Sequence, residues 1–387
     1  MRILYIGAFR LPQFDAAAFR VINNGKALLE CGHEVSYISW GGQYLKEEER
    51  YDGCHRIHGM KYIITGELDG GTSFLDRIKS KMQRGVKTMK ILKDLDYHPD
   101  IIISYNAGWW FTRQLLKFTR ENNIKLVNDI TEWYDNNELH LTDRLLNWVN
   151  MNRTQRKVKN KILISSYLDI HYTRENNIIV PPLFDSEQLP KIENPGREND
   201  ALTFIYAGNP AKKDKLHEAI KAINKLMLEG YDLRFNILGI SKEDYLKRFS
   251  DMLIDELSLN IVFHGRLAAR KIPAFYKQSD LMVLMRDDNR KSNAGFPTKF
   301  VESFSLGVPV VANLTSDLGN YLKDEKTGLI VNGNDYIALS DRLKNFLESN
   351  WKERIREMKK KTLEVGLKSF DYRNHSAKLQ QFIDNLQ

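Results

Sequence analysis

Twice along this chain, a short apolar run of β-prone residues ends at a glycine and gives way to helical spacing. The first instance is Ile3 to Ile6, then Gly7, an apolar helical pattern from Phe19 to Leu29, the turn Gly32-His33 and the alternating run Val35 to Ile38. The second is Leu202 to Ala207, the turn Gly208-Asn209-Pro210 and a helical pattern from Lys215 to Leu228. A strand that must pass through a helix before its neighbour predicts a parallel sheet. Further buried-strand patterns lie at 100–104, 124–128 and 162–165, and again at 235–238, 261–263, 281–284 and 308–312. Between the two series, Pro181-Pro182 and then Pro190, Pro195 and Gly196 read as a linker. The expected fold class is α/β, with two Rossmann-like domains facing a cleft. Ligands of such sheets bind at the carboxyl ends of the strands.

The length of 387 residues suits two domains, and 42% hydrophobic with 11% aromatic residues is enough for two packed cores. Cys31 and Cys54 are too few for a disulfide framework and show no metal-ligand spacing, which fits a reducing compartment. No apolar run approaches bilayer length, and Arg10 interrupts the apolar N-terminus, so a cytoplasmic location is expected.

The net charge of +8 is local. Residues 77–93 hold seven Lys/Arg and no acid (Arg77, Lys79, Lys81, Arg84, Lys87, Lys90, Lys93), and residues 144–168 hold six (Arg144, Arg153, Arg156, Lys157, Lys159, Lys161). Without those thirteen the chain would carry 45 basic against 50 acidic residues. The first segment sits in a helical pattern over 73–95, and the second adds Leu145, Leu146, Trp148 and Val149 to its cations. A basic helix with an apolar stripe suits an anionic membrane surface, whereas a soluble helix with a solvated basic face is the simpler alternative. Trp109-Trp110-Phe111 adds a candidate apolar patch. Neither half is a basic domain and no aromatic–basic RNA signature is present, so nucleic acid is not an expected partner.

The stretch from Asn293 to Val311 carries the most chemistry. Gly295, Phe296 and Pro297 mark a tight loop, with Pro297 suited to the first turn of a helix ending at Gly307. Thr298 and Lys299 then sit where amides are free and the helix dipole is positive, which makes an anion site for a diphosphate. Glu302, one turn on, can accept hydrogen bonds from ribose hydroxyls. The alternative is a Pro-initiated helix with a solvated Lys299 and a surface Glu302. Asp287-Asp288 could be a metal-binding pair, but beside Arg286 and Arg290 they read as solvated loop acids.

These residues resemble the retaining glycosyltransferases of the GT-B fold, group 1 (glycosyltransferase family 4-like). There, this helix carries one Glu, a second Glu eight positions later, and Gly-x-Pro-Val. Glu302 matches the second Glu and Gly307-Val308-Pro309-Val310 the tail, while Ala294 stands at the first. Gly7 and Gly32-His33-Glu34-Val35 resemble the family's opening glycine loop and "GHEV" turn. Val180-Pro181-Pro182-Leu183-Phe184-Asp185 resembles its linker, and the segment from Tyr206 to Asp214 resembles the "vGR…KG" loop, with Asn209 at the Arg and Lys213 (or Lys212) supplying the Lys. Ile261 to Arg266 is similar to the strand and loop beside the nucleotide base, and Gly328-Leu329-Ile330-Val331 to "GLLV".

The resemblance implies an acceptor domain over 1–185, a nucleotide-sugar donor domain over 186–369 and a C-terminal helix over 370–387 returning to the first. It implies a hexosyltransferase that uses a nucleotide-diphosphate sugar and a glycan or lipid-linked acceptor in bacterial-type cell-surface polysaccharide synthesis. Retention, independence from metal and the absence of a cofactor belong to the same expectation. Gly7, Gly208, Asn209, Lys213, Arg266, Arg286, Arg290, Phe296, Pro297, Thr298, Lys299 and Glu302 are then the donor candidates, with Arg286 or Arg290 substituting for the Arg absent at 209. Lys213 and Lys299 are expected to act on the leaving diphosphate. In the first half, the polar cluster Asn128 to Asp135 ends a strand, so Asp129 and Glu132 are catalytic candidates and Trp133, Tyr134, Tyr105 and Asn106 acceptor candidates. Peripheral contact with an anionic membrane is expected through 77–93 and 144–161. A non-catalytic nucleotide-sugar-binding protein and a nucleotide-sugar epimerase are the alternatives.

Overall fold

The computed structural model describes the chain except residues 13–14, 45–49, 52–53, 69–83, 190–200, 211–213 and 250–256. The chain packs as two compact units, Met1–Leu183 with Tyr372–Gln387, and Phe184–Asp371.

The first unit is built on nine strands: β1 (Arg2–Leu11), β2 (Glu34–Gly42), β3 (Arg50–Tyr51), β4 (Cys54–Ile57), β5 (Met60–Ile64), β6 (Ile101–Tyr105), β7 (Lys125–Ile130), β8 (Asn160–Leu163) and β9 (Asn176–Ile179). Their order is β3-β4-β5-β2-β1-β6-β7-β8-β9, parallel except where β4 pairs with β3 and β5. The central strands are apolar on both faces because helices cover both, as parallel sheets require. Asp15 caps the helix Ala16–Glu30 by accepting from the Ala18 amide at 2.7 Å. The helix Arg373–Asp384 places Leu379, Phe382 and Ile383 in the same core as Val21 and Ile22 of that first helix.

Gly7 does not end β1, as the sequence suggests. The strand continues to Leu11, with an irregularity between Gly7 and Arg10. Gly7 lies between Ser39 and Tyr105 at φ +141°, and a Cβ there would meet the Tyr105 carbonyl oxygen at 2.5 Å. The close approach of the neighbouring strand thus requires a glycine here. Phe111 is likewise a core residue, 5.1 Å from the Trp40 ring, which removes it from the expected apolar surface patch.

The second unit has six parallel strands: β10 (Leu202–Ala207), β11 (Leu233–Leu238), β12 (Ile261–Gly265), β13 (Leu281–Leu284), β14 (Val310–Ala312) and β15 (Gly328–Ile330), in the order β12-β11-β10-β13-β14-β15. The strand order reverses between β10 and β13, and the crevice at that switch point is where doubly wound sheets take ligands. Among the described residues no helix is long and apolar enough to cross a membrane.

Candidate active site

The carboxyl ends of β10 and β13 meet around one carboxylate. Asp214, in the turn after β10, is buried, and its Oδ2 accepts from Lys299 Nζ at 2.9 Å and from the Tyr206 hydroxyl at 2.9 Å. Arg286, two residues past β13, brings its Nε to 3.3 Å from Asp214 Oδ1. Asn313, just past β14, fixes the Arg286 backbone, accepting from its amide at 2.9 Å and donating to its carbonyl at 2.8 Å. Burial alone would push the Asp214 carboxyl up, but Lys299 and Arg286 outweigh it and hold the group below the usual carboxylate range. Burial pushes the Arg286 guanidinium down, with Asp214 opposing.

Lys299 lies in the first turn of the helix Thr298–Ser305, whose leading amides have no intrahelical acceptor. Its stem crosses Gly208, where φ is +127° and a Cβ would stand 2.5 Å from Lys299 Cε. Lys299 therefore needs a glycine at that position of the loop. Its side chain is 19% exposed, against 1% for Arg286 and 3% for Asp214. One acid thus serves two cations, and one of those cations reaches solvent. Glu302 is half-buried in the same helix, and burial pushes its carboxyl up to about 7 against the pull of Lys299.

Other expected donor residues fall differently. Pro297 caps the helix from outside instead of entering its first turn, and Thr298 is the first helical residue. Phe296 packs its ring among Phe300, Tyr321 and Phe370 at 5.9–6.1 Å, so it supports the loop from the core and does not face a ligand. Arg290 opens the short helix Arg290–Ala294, capped by Asn289. Arg266 is exposed just beyond β12. Asp287 pairs with Lys215 at 3.3 Å and Asp288 accepts from Asn293 at 2.7 Å, so the two acids are separately engaged. Lys212 and Lys213 lie outside the described residues. Asp214, central to the cluster, was not singled out from sequence, because its two cationic partners, Arg286 and Lys299, come from distant segments.

In the first unit, Asp129 is a correction. It is fully buried, takes bonds from Arg20 Nε and Nη2 at 2.8–3.0 Å and from the Tyr5 hydroxyl, and so is neutralised inside the core. A carboxylate sealed this way reaches no substrate. Tyr105 is buried with its hydroxyl 3.2 Å from Thr131 Oγ1, and Asn106, at φ +45°, donates to the same oxygen at 2.6 Å. Glu132 and Tyr134 are exposed and hydrogen-bonded to one another, while the Trp133 ring lies tilted against His171, centroids 4.3 Å apart.

The basic segments also divide. Lys161 is fully buried over the Tyr172 ring, and burial lowers its ammonium to about 8, so it belongs to no surface. Arg156 pairs with Glu175 at 3.6 Å and Lys87 donates to the Thr65 carbonyl at 3.0 Å. Arg77, Lys79 and Lys81 lie outside the described residues, and of the expected 73–95 helix the described part is Val86–Lys93. The helix Leu141–Val149 instead leaves its apolar side uncovered, with Leu141 79%, Leu145 64% and Trp148 49% exposed at spacings of four and three.

Residues 188–364, a little under half of the chain, match the sequence profile of the family described as glycosyl transferases group 1. The similarity to this family lies in the second unit of the chain. The group 1 match spans Asp214, Arg286, Lys299 and Glu302 together. Among relatives, the putative colanic acid biosynthesis glycosyltransferase WcaL of Escherichia coli (strain K12) is 29% identical over 148 residues, 38% of this chain and 36% of that protein. The capsular polysaccharide biosynthesis glycosyltransferase CapM of Staphylococcus aureus is 24% identical over 160 residues, 41% and 39% of the two chains. The chain therefore spans little more than a third of the length of these relatives. Among solved structures, sucrose-phosphate synthase from Thermosynechococcus elongatus superposes with a TM-score of 0.71 at 14% identity, covering 99% and 98% of the two chains. Anabaena HepE in complex with UDP and glucose also gives 0.71, at 13% identity over both whole chains. At such identities the likeness is one of fold, the two-domain α/β GT-B type.

Proposed function

We propose that this group 1 chain is a glycosyltransferase. It moves a hexose from a nucleotide-diphosphate sugar to a glycan or lipid-linked glycan in cell-surface polysaccharide synthesis, with retention at the anomeric carbon and without a metal. The observation that carries the reading is the cluster at the ends of β10 and β13, where Lys299 and Arg286 share the single acid Asp214 at a helix amino end. The polysaccharide roles named for WcaL and CapM, and the UDP and glucose held by HepE, support it.

As the bond from the anomeric carbon to the phosphate oxygen breaks, its electron pair stays on the diphosphate. Fixed cations and helix amides aimed at that growing charge stabilise the transition state more than the bound substrate. The acceptor oxygen forms the new bond on the same face, and its proton passes to the departing phosphate oxygen. Glu302 is assigned to the ribose hydroxyls and Lys213 to the diphosphate. Glu132, Tyr134 and Asn106 are assigned to the acceptor. Incubation with radiolabelled UDP-, GDP- and dTDP-sugars and lipid-linked acceptors is expected to give transfer that survives chelation of metal. Neither transfer nor hydrolysis with any donor would overturn the reading. One observation favours a second reading, a nucleotide-sugar-binding protein without turnover: Ala294 is fully buried and offers no carboxylate. That protein would bind donor and transfer nothing.

A cytoplasmic protein peripheral on an anionic bilayer fits the uncovered stripe Leu141, Leu145 and Trp148, beside exposed Arg153, Lys157 and Lys159. Apolar area with flanking cations at about 1 kcal/mol each suffices for reversible binding. Leu145→Asp is expected to abolish sedimentation with anionic vesicles while leaving transfer to a soluble acceptor unchanged. Equal binding to neutral vesicles would remove the basic residues from this role.

A further inference from the structure

The donor cluster extends to a cation that the sequence pattern does not mark. Beyond Gly208, which touches Lys299, the next residue is Asn209, exposed at the end of β10. Its side-chain Oδ1 accepts from Arg248 Nη1 at 2.8 Å, and the Pro210 carbonyl accepts from the same nitrogen at 2.8 Å. Arg248 ends the helix Lys242–Arg248, which follows β11 and is fastened by buried Tyr245 against Phe249 and Phe263 at 5.1 and 5.3 Å. The arginine is thus held at a defined place, over the same strand end as Lys299.

Two features distinguish this from a loop tether. Both acceptors are neutral carbonyl oxygens, and among the described residues no carboxylate pairs with Arg248 to cancel its charge. Both bonds also use one nitrogen, whereas a guanidinium carries five N–H donors in a planar fork suited to phosphate. Its remaining donors have no protein acceptor among the described residues. Among these described residues, Lys299, Arg286 and Arg248 against Asp214 leave two positive charges, which suits a diphosphate better than a neutral sugar.

Resting on the donor reading above, we infer that Arg248 is a phosphate-binding residue for the nucleotide diphosphate, and that Asn209 is its positioning residue. Binding of UDP, GDP and dTDP to the full chain, and of the parent nucleosides, is measured for the natural protein, Arg248→Gln, Arg248→Lys and Asn209→Ala. Arg248→Gln is expected to weaken the diphosphate about tenfold or more, the scale of a charge-assisted hydrogen bond. Nucleoside affinity and melting temperature stay unchanged, and Arg248→Lys recovers part of the loss. Asn209→Ala is expected to cost a few-fold alone and nothing further in the Arg248→Gln background, because its effect passes through Arg248. Diphosphate affinity within twofold of the natural protein in Arg248→Gln, or an equal loss for the nucleoside, would make Arg248 a loop tether and leave the donor reading standing. If the natural protein binds none of the three diphosphates, the donor reading falls and this inference with it.

Discussion

Each unit gathers a tyrosine of its first strand, an aspartate and an arginine, and the two clusters are put to opposite uses. Around Asp129, one arginine meets one acid. Arg20 and Asp129 are 2% and 0% exposed, Arg20 Nη1 donates to the Val180 carbonyl at 2.8 Å, and Tyr5 closes the remaining side. Around Asp214, Tyr206 and Arg286 repeat the pattern, but Lys299 is added and reaches solvent. The first cluster is neutral and closed, and the second has charge to spare and an opening. The ratio of cations to acids and the solvent access of one member separate a structural ion pair from a binding site, although the residue types are nearly the same.

The largest expected effect breaks the closed cluster. Asp129→Ala leaves Arg20 buried without a counter-ion, a loss of about 3–5 kcal/mol, to be read from denaturant unfolding of the unit that holds it. Asp214→Asn is expected to perturb stability less, since Asn keeps an oxygen acceptor for buried Arg286 and Lys299 can turn to solvent, and to weaken nucleotide diphosphate about tenfold by letting Lys299 leave its place. If the two substitutions destabilise equally and Asp214→Asn leaves binding intact, the contrast collapses.

A smaller effect concerns Glu302. Its carboxyl titrates near 7 in the folded chain against an ordinary 4.5. The native state therefore holds the proton more tightly than the unfolded chain, and stability falls as pH rises from about 4.5 through 7. Glu302→Gln is expected to raise the melting temperature at pH 8 by about 2–4 °C, to lose that advantage by pH 4.5, and to bind nucleotide more weakly. An advantage independent of pH would show that the carboxyl is not desolvated.

Much of the fold was legible because parallel strands write themselves as apolar runs: β10 and β13 occupy the residues their patterns mark. Lys299 was legible for a local reason, its place just after a proline-bearing loop at a helix start. Asp129 was misread because a polar residue at a strand end looks the same whether it faces a crevice or meets Arg20 from 109 residues away. Gly7 was misread as the end of β1 because its glycine requirement comes from the neighbouring strand, which a single segment does not display. Lys161 shows the limit of charge counting, since it contributes to a basic run and is nonetheless fully buried. Arg248 was invisible for the same reason as Asp214: chain separation hides contacts made between loops.

The unbalanced cluster at Asp214 is proposed to bind the donor diphosphate. Titration calorimetry of the natural protein and Lys299→Ala with UDP, GDP and dTDP tests it most directly. One of these diphosphates is expected to bind the natural protein, with an affinity that falls as salt rises, and Lys299→Ala to lose about tenfold or more of it while remaining folded. Binding of equal strength in Lys299→Ala, or none by the natural protein, would contradict it.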